Sequence, residues 1–113
     1  MLSTILNVFM YHRVLPDVHS DAVSVELFRR QIAFIQDRYR LLSGAEVVEF
    51  LSGKNTFEGP CAALTFDDGW LDNWLFATPV LVERRVPAIL ALITGNLHDS
   101  PVRQDVSCRI ARV

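Results

Sequence analysis

A single α/β domain built on a parallel sheet is predicted by three features of this chain. Apolar runs of strand length alternate with segments of helical period. Three of those runs, residues 5–11, 61–66 and 88–94, are apolar almost throughout, the pattern of strands covered on both faces. Short polar groups follow the strands directly, where such folds bind their ligands.

The elements follow in order. Residues 5–11 are apolar apart from Asn7 and read as a strand. Residues 13–23, with Pro16 and several Asp, Ser and His residues, read as a loop. Ser24 is placed to cap a helix, with Glu26 in its first turn favoured by the helix dipole. Leu27, Phe28, Ile32, Ile35 and Tyr39 share one face at helical spacing, leaving Arg29, Arg30, Gln36 and Asp37 to water. Leu41-Leu42 is a short strand. Ser43-Gly44-Ala45-Glu46 is a capping-box pattern that opens a helix through Leu51, and Gly53 suits its stop. Residues 54–60 are turn chemistry. Residues 61–66 form the second long strand, ended by Asp67-Asp68-Gly69. A helix is expected over residues 71–85, where Pro79 should break it or start a new segment with proline in its first turn. Pro87 leads into the third strand, closed by Gly95. Beyond it no period is legible, so residues 1–95 read as one unit and 96–113 as an irregular tail.

The bulk numbers exclude several classes. A chain of 113 residues, half of them hydrophobic and 21% charged, is globular in composition and long enough for one core. Eleven basic residues against thirteen acidic ones provide no field for a phosphate backbone, so a nucleic-acid partner is not expected. Cys61 and Cys108 make neither a disulfide framework nor a zinc knuckle, and Cys61 reads as a small buried side chain. The apolar N-terminus lacks a basic region and a cleavage pattern, so no signal peptide is expected and the default compartment is the cytoplasm. The longest apolar stretch, residues 86–93, is too short to span a bilayer.

Chemistry concentrates at two strand ends, His12-Arg13 and Asp67-Asp68-Gly69. Adjacent carboxylates there can divide their labour, one holding a metal ion and the other accepting a proton. Gly69 lets the chain turn sharply. Taken alone, Asp-Asp-Gly after a strand is more often ordinary turn chemistry, and a single His12 more often a structural residue. His19 and His98 read as solvated. Trp70 and Trp74 could form an aromatic sugar platform, though at helical spacing they fit core and staple positions better.

Thr65-Phe66-Asp67-Asp68-Gly69 resembles the first signature motif of the NodB-homology polysaccharide deacetylases, carbohydrate esterase family 4. Val8-Phe9-Met10-Tyr11-His12-Arg13-Val14 resembles the opening of one branch of that family, and Leu27-Phe28-Arg29-Arg30-Gln31 its first helix. Leu71-Asp72-Asn73, Pro79 and Val86-Pro87-Ala88 fall at further landmarks of the branch. The resemblance implies a distorted (β/α) barrel, of which this chain holds about the first half. It implies Asp67 as the general base on the attacking water. Asp68 matches the carboxylate that binds a divalent cation, usually zinc, beside two histidines of a later H-S/T-x-x-H motif. His12, Tyr11, Gly69 and Trp70 are then expected to line the pocket, His12 by orienting Asp67 or touching substrate rather than as a metal ligand. The implied reaction removes N-acetyl groups from a polysaccharide.

No His-x-x-x-His occurs in the chain. The expectation is therefore an incomplete metal site, with neither tight metal binding nor deacetylation by these residues alone. Open sheet edges predict self-association. Family members often work at the cell envelope. The competing reading is a non-catalytic remnant or binding module of the same fold. A magnesium-dependent phosphoryl transferase fits less well, because no phosphate-cradling glycine loop and no Asp-x-Asp spacing is present.

Overall fold

The computed structural model describes residues 1–96. Its strands are β1 (Leu6–Tyr11), β2 (Val14–Leu15), β3 (Val23–Ser24), β4 (Arg40–Leu41), β5 (Cys61–Asp67) and β6 (Ile89–Ala91). Its helices are α1 (Val25–Arg38), α2 (Gly44–Ser52) and α3 (Thr78–Arg84), the last preceded by a π-helical turn over Asn73–Ala77. A single turn of 3-10 helix, Thr94–Asn96, follows β6.

Strand β5 organises the main sheet, and every pairing with it is parallel, as the apolar strand runs predicted. Strand β1 lies along one edge of β5, in register from Leu6↔Cys61 to Tyr11↔Phe66. The other edge is shared: β4 pairs with Cys61 and Ala62, and β6 with Thr65, Phe66 and Asp67. The outer edges of β1 and β6 carry no further strand among the described residues.

One face of this sheet holds the core. Phe28, Ile32 and Ile35 of α1 pack with Leu64 and Phe66 of β5 and with Val80 of α3. Phe28 meets the rings of Tyr11 and Phe66 edge-on, at centroid separations of 5.0 and 5.9 Å. The α1 stripe is thus the one its spacing predicted, and the Ser24 hydroxyl caps it by accepting from the Leu27 N–H. A smaller cluster joins Leu42, Phe57 and Cys61 to Val47 and Phe50 of α2, so Cys61 is buried as expected.

Three expectations are corrected. Strand β1 is covered on one side only: Val8 and Met10 are 57% and 60% exposed, while Phe9 and Tyr11 face the core. Strand β6 is shorter than predicted, and Leu90 is 52% exposed. The reason is common to both, since among the described residues nothing packs over those surfaces. The loop at 13–23 contains a two-residue ladder, Val14↔Val23 and Leu15↔Ser24, because Val14 and Leu15 have core positions to fill. The expected helix over 71–85 is interrupted, as Pro79 predicted. Lacking an N–H, Pro79 cannot extend an α-helical ladder backward. The turn before it widens, and the Thr78 N–H and Oγ both donate to the Asn73 carbonyl. The tail expected over 96–113, with His98 and Cys108, lies beyond Asn96 outside the described residues. No described helix is long and apolar enough to cross a membrane.

The capping box of α2 forms in full. Ser43 Oγ accepts from the Glu46 N–H at 3.2 Å, and Glu46 Oε1 accepts from the Ser43 N–H at 3.0 Å. The second of these bonds, more than the nearby Arg40, holds the Glu46 carboxyl below its ordinary pKa of 4.5. A carboxyl with a lowered folded-state pKa stabilises the fold above its unfolded value and loses that contribution as pH falls through the folded one. Glu46→Gln is therefore expected to be less stable than wild type at pH 7, with the gap closing in acid below pH 4.5. Thermal melts across pH 3–7, roughly the carboxylate range, would show it; a gap independent of pH would remove the charge from the explanation.

Candidate active site

The sheet ends on its acidic residues for a local reason. Asp67 is the last residue of β5 and pairs with Ala91. Asp68 then takes a left-handed backbone, φ 74°, with its N–H donating to the Ala91 carbonyl at 2.9 Å. Left-handed geometry is strained for a residue with a side chain, although Asp tolerates it better than most. Gly69 continues at φ 67°, and a Cβ there would come within 2.8 Å of the Leu92 side chain. Strand and turn are thus both real here: the turn is what sets two adjacent carboxylates at the strand's C-terminal end.

His12 follows β1 at the same end of the sheet. Its Nε2 lies 3.6 Å from Asp67 Oδ2, with the two side chains 50% and 29% exposed. Six residue pairs in parallel register end with Tyr11 beside Phe66, so the next residue after each, His12 and Asp67, is brought side by side. A histidine in that position can hold the carboxylate's orientation or exchange a proton with it.

The other expected pocket residues divide. The Tyr11 ring stacks on Phe66 and meets Phe28 edge-on, and its hydroxyl donates to Gln31 Oε1 at 2.9 Å. Burial pushes its pKa up to about 12. Tyr11 also borders, with His12, Asp21 and Gln31, an open cleft of about 390 Å³. Gly69 and Trp70 line a separate apolar pocket of about 480 Å³, with Phe66, Leu81 and Leu90 among its walls. One face of the Trp70 ring is occupied by the Arg13 guanidinium, 4.2 Å from the ring centroid. Trp74, placed by its spacing in the core or as a staple, is instead 70% exposed.

Two residues beside the site, Asp72 and Asn73, escaped the sequence reading as functional positions. Asp72 is fully buried. Its Oδ2 accepts from the Val14 N–H at 2.8 Å, and its Oδ1 accepts from Arg13 Nε and Nη2 at 3.3 and 3.2 Å. Asn73 Nδ2 donates to the His12 carbonyl at 3.0 Å. These partners are about 60 residues apart in sequence, so no local spacing could reveal them. The available signal was the Leu71-Asp72-Asn73 landmark of the family resemblance, which marked the position without giving it a role.

Among the described residues no three His, Cys, Asp or Glu side chains come together as a metal centre would require. Asp68 offers one carboxylate of suitable chemistry, and the described residues do not complete its site.

No family model matches the chain, and no curated protein does. Solved structures do. IcaB from Ammonifex degensii is 34% identical over 75% of this chain, with a TM-score of 0.70. A de-N-acetylase from Aggregatibacter actinomycetemcomitans is 26% identical over 88% of the chain, with a TM-score of 0.74. The Streptococcus pyogenes deacetylase PplD, solved in complex with acetate, is 25% identical over 92%, with a TM-score of 0.67. The chain covers 36%, 41% and 51% of these proteins respectively, so it spans about half their length at most. The fold, the 34% identity and the Thr65-to-Gly69 motif at the end of its central strand agree, and the chain belongs to the NodB-type polysaccharide deacetylases.

Proposed function

We propose that this chain is the part of a metal-dependent polysaccharide N-deacetylase that supplies the catalytic base and one metal ligand. The observation that carries the reading is the pairing of His12 with Asp67 at the end of β5, directly beside Asp68. The four-stranded parallel sheet is on this reading about half of a distorted (β/α) barrel, consistent with the share of its relatives that it spans.

Asp67 accepts the proton of the attacking water, whose oxygen bonds to the acetamide carbonyl carbon. His12 keeps the Asp67 carboxylate turned toward that water. Collapse of the tetrahedral oxyanion breaks the C–N bond, the amine nitrogen takes up a proton, and acetate and a free sugar amine leave. Asp68, with ligands from outside the described residues, would hold a divalent cation, zinc by family resemblance; such a cation supplies Lewis acidity to the carbonyl. PplD was solved with acetate, the small product this reaction requires.

One carboxylate holds zinc weakly, so calorimetric titration of the 113-residue chain should give a dissociation constant weaker than about 1 µM and no acetate from N-acetylglucosamine oligomers. Extending the chain with the coding sequence after Val113 tests the activity itself. An H-S/T-x-x-H pair is expected there, and the extended protein should release acetate at a rate that Asp67→Asn lowers at least about 100-fold. Acetate release untouched by that substitution would sink the assignment of Asp67. Sub-micromolar zinc binding by the short chain, abolished in Asp68→Ala, would sink the claim that its site is incomplete.

A further inference from the structure

We infer that Asn73 is a positioning residue that fixes His12 against Asp67, with the buried Asp72–Arg13 pair holding the next two residues of the same turn. The His12 imidazole is half exposed, so packing does not set its direction. Its backbone does. Three consecutive residues are tied to two consecutive residues of one other turn: the His12 carbonyl to Asn73 Nδ2, the Arg13 guanidinium to Asp72 Oδ1, and the Val14 N–H to Asp72 Oδ2. Trp70 completes the clamp by lying under Arg13.

Asn73 is itself held rigidly. Its N–H donates to the Trp70 carbonyl, and its own carbonyl receives both the N–H and the Oγ of Thr78 across the π-helical turn. Asn73 is the first residue of that widened turn, and its side-chain amide reaches the residue that follows β1. The second observation is the other end of the same amide. Asn73 Oδ1 is buried with no hydrogen-bond partner. An unpaired buried acceptor is unfavourable, and Asn73 stands among the apolar residues Phe66, Ala77 and Leu81 in the lining of one pocket, surroundings in which a leucine of similar shape would bury no unpaired group. The donor end, bonded to His12, is what an asparagine contributes there and a leucine does not.

The purpose of this linkage rests on reading Asp67 as the base, while the linkage itself is tested without turnover. In the isotopically labelled chain at one fixed pH, Asp67→Asn is expected to move the His12 Cε1–H and Nε2 resonances. In an Asn73→Leu background that displacement should be largely lost, with Tm within about 5 °C of wild type because a lost bond and a relieved acceptor oppose each other. Asn73→Ala, smaller and uncrowded, should decouple His12 in the same way. An Asp67→Asn displacement that persists in both backgrounds overturns the inference. So does its absence in the wild-type background, or a collapse of spectral dispersion throughout the chain in both Asn73 variants, which would make the residue only structural. None of these outcomes depends on deacetylation, so this inference and the proposed function can fail separately.

Discussion

Phe28→Ala is expected to lower stability by about 4 kcal/mol, within the range for a buried phenylalanine. Phe28 is fully buried and touches the two longest strands at once, edge-on to Tyr11 of β1 and to Phe66 of β5. Each such aromatic pair contributes about 0.5–1.5 kcal/mol beyond its buried area. No neighbouring side chain can collapse into the space without drawing α1 off the sheet, because Ile32 and Ile35 are already committed to Leu64, Val80 and their neighbours. Small domains hold only about 5–15 kcal/mol in total, so a substantial fraction of the fold's stability depends on this one ring. Far-UV circular dichroism should show a midpoint lowered by roughly 20 °C. A change under about 5 °C would mean that α1 is not the core-forming helix described above.

Asp72→Ala should rank second, at about 3 kcal/mol, for a different reason. No large cavity forms; instead the Val14 N–H and the Arg13 guanidinium lose their partner in a buried place. Arg13 is 17% exposed and can recover some hydration, whereas the Val14 amide, on a fully buried residue, cannot. Asp72→Asn keeps an acceptor for Val14 while facing Arg13 without a charge, so its loss should be smaller than that of Asp72→Ala. Urea denaturation of the two variants would compare them directly, and equal losses would show that the Val14 bond contributes little.

Local rules carried the sequence reading far. The caps at Ser24 and Ser43, the αL stop at Gly53 and the interruption at Pro79 all depend on residues within one turn of each other, and each formed as expected. The apolar runs gave the parallel strands for a similar reason. What the sequence could not convey was which faces of those strands are covered. Val8, Met10 and Leu90 have the composition of buried strand residues, yet their exposure is set by what packs from elsewhere. The acidic motif was legible at Asp67-Asp68-Gly69, and His12 stood out as the polar residue closing β1. The clamp beneath them was not. Arg13, Asp72 and Asn73 acquire their roles only when β1 and the turn after β5 meet, and no periodicity encodes that meeting.

The pairing of β1 with β5 has a consequence for how the chain is made. Asn7 and Cys61, joined by a hydrogen bond, are 54 residues apart, and both lie in the strand pair on which the fold is built. Helices α1 and α2 can form early from local contacts, but β1 has nothing to pair with until β5 exists. At ordinary rates of protein synthesis that interval is about 3–10 s. Throughout it, the segment Leu6–Tyr11 is an apolar strand without a partner, the kind of sequence that associates with other chains. Its window of vulnerability is set by the length of chain between two strands, a connection that itself carries α1 and β4, both of which the finished sheet needs.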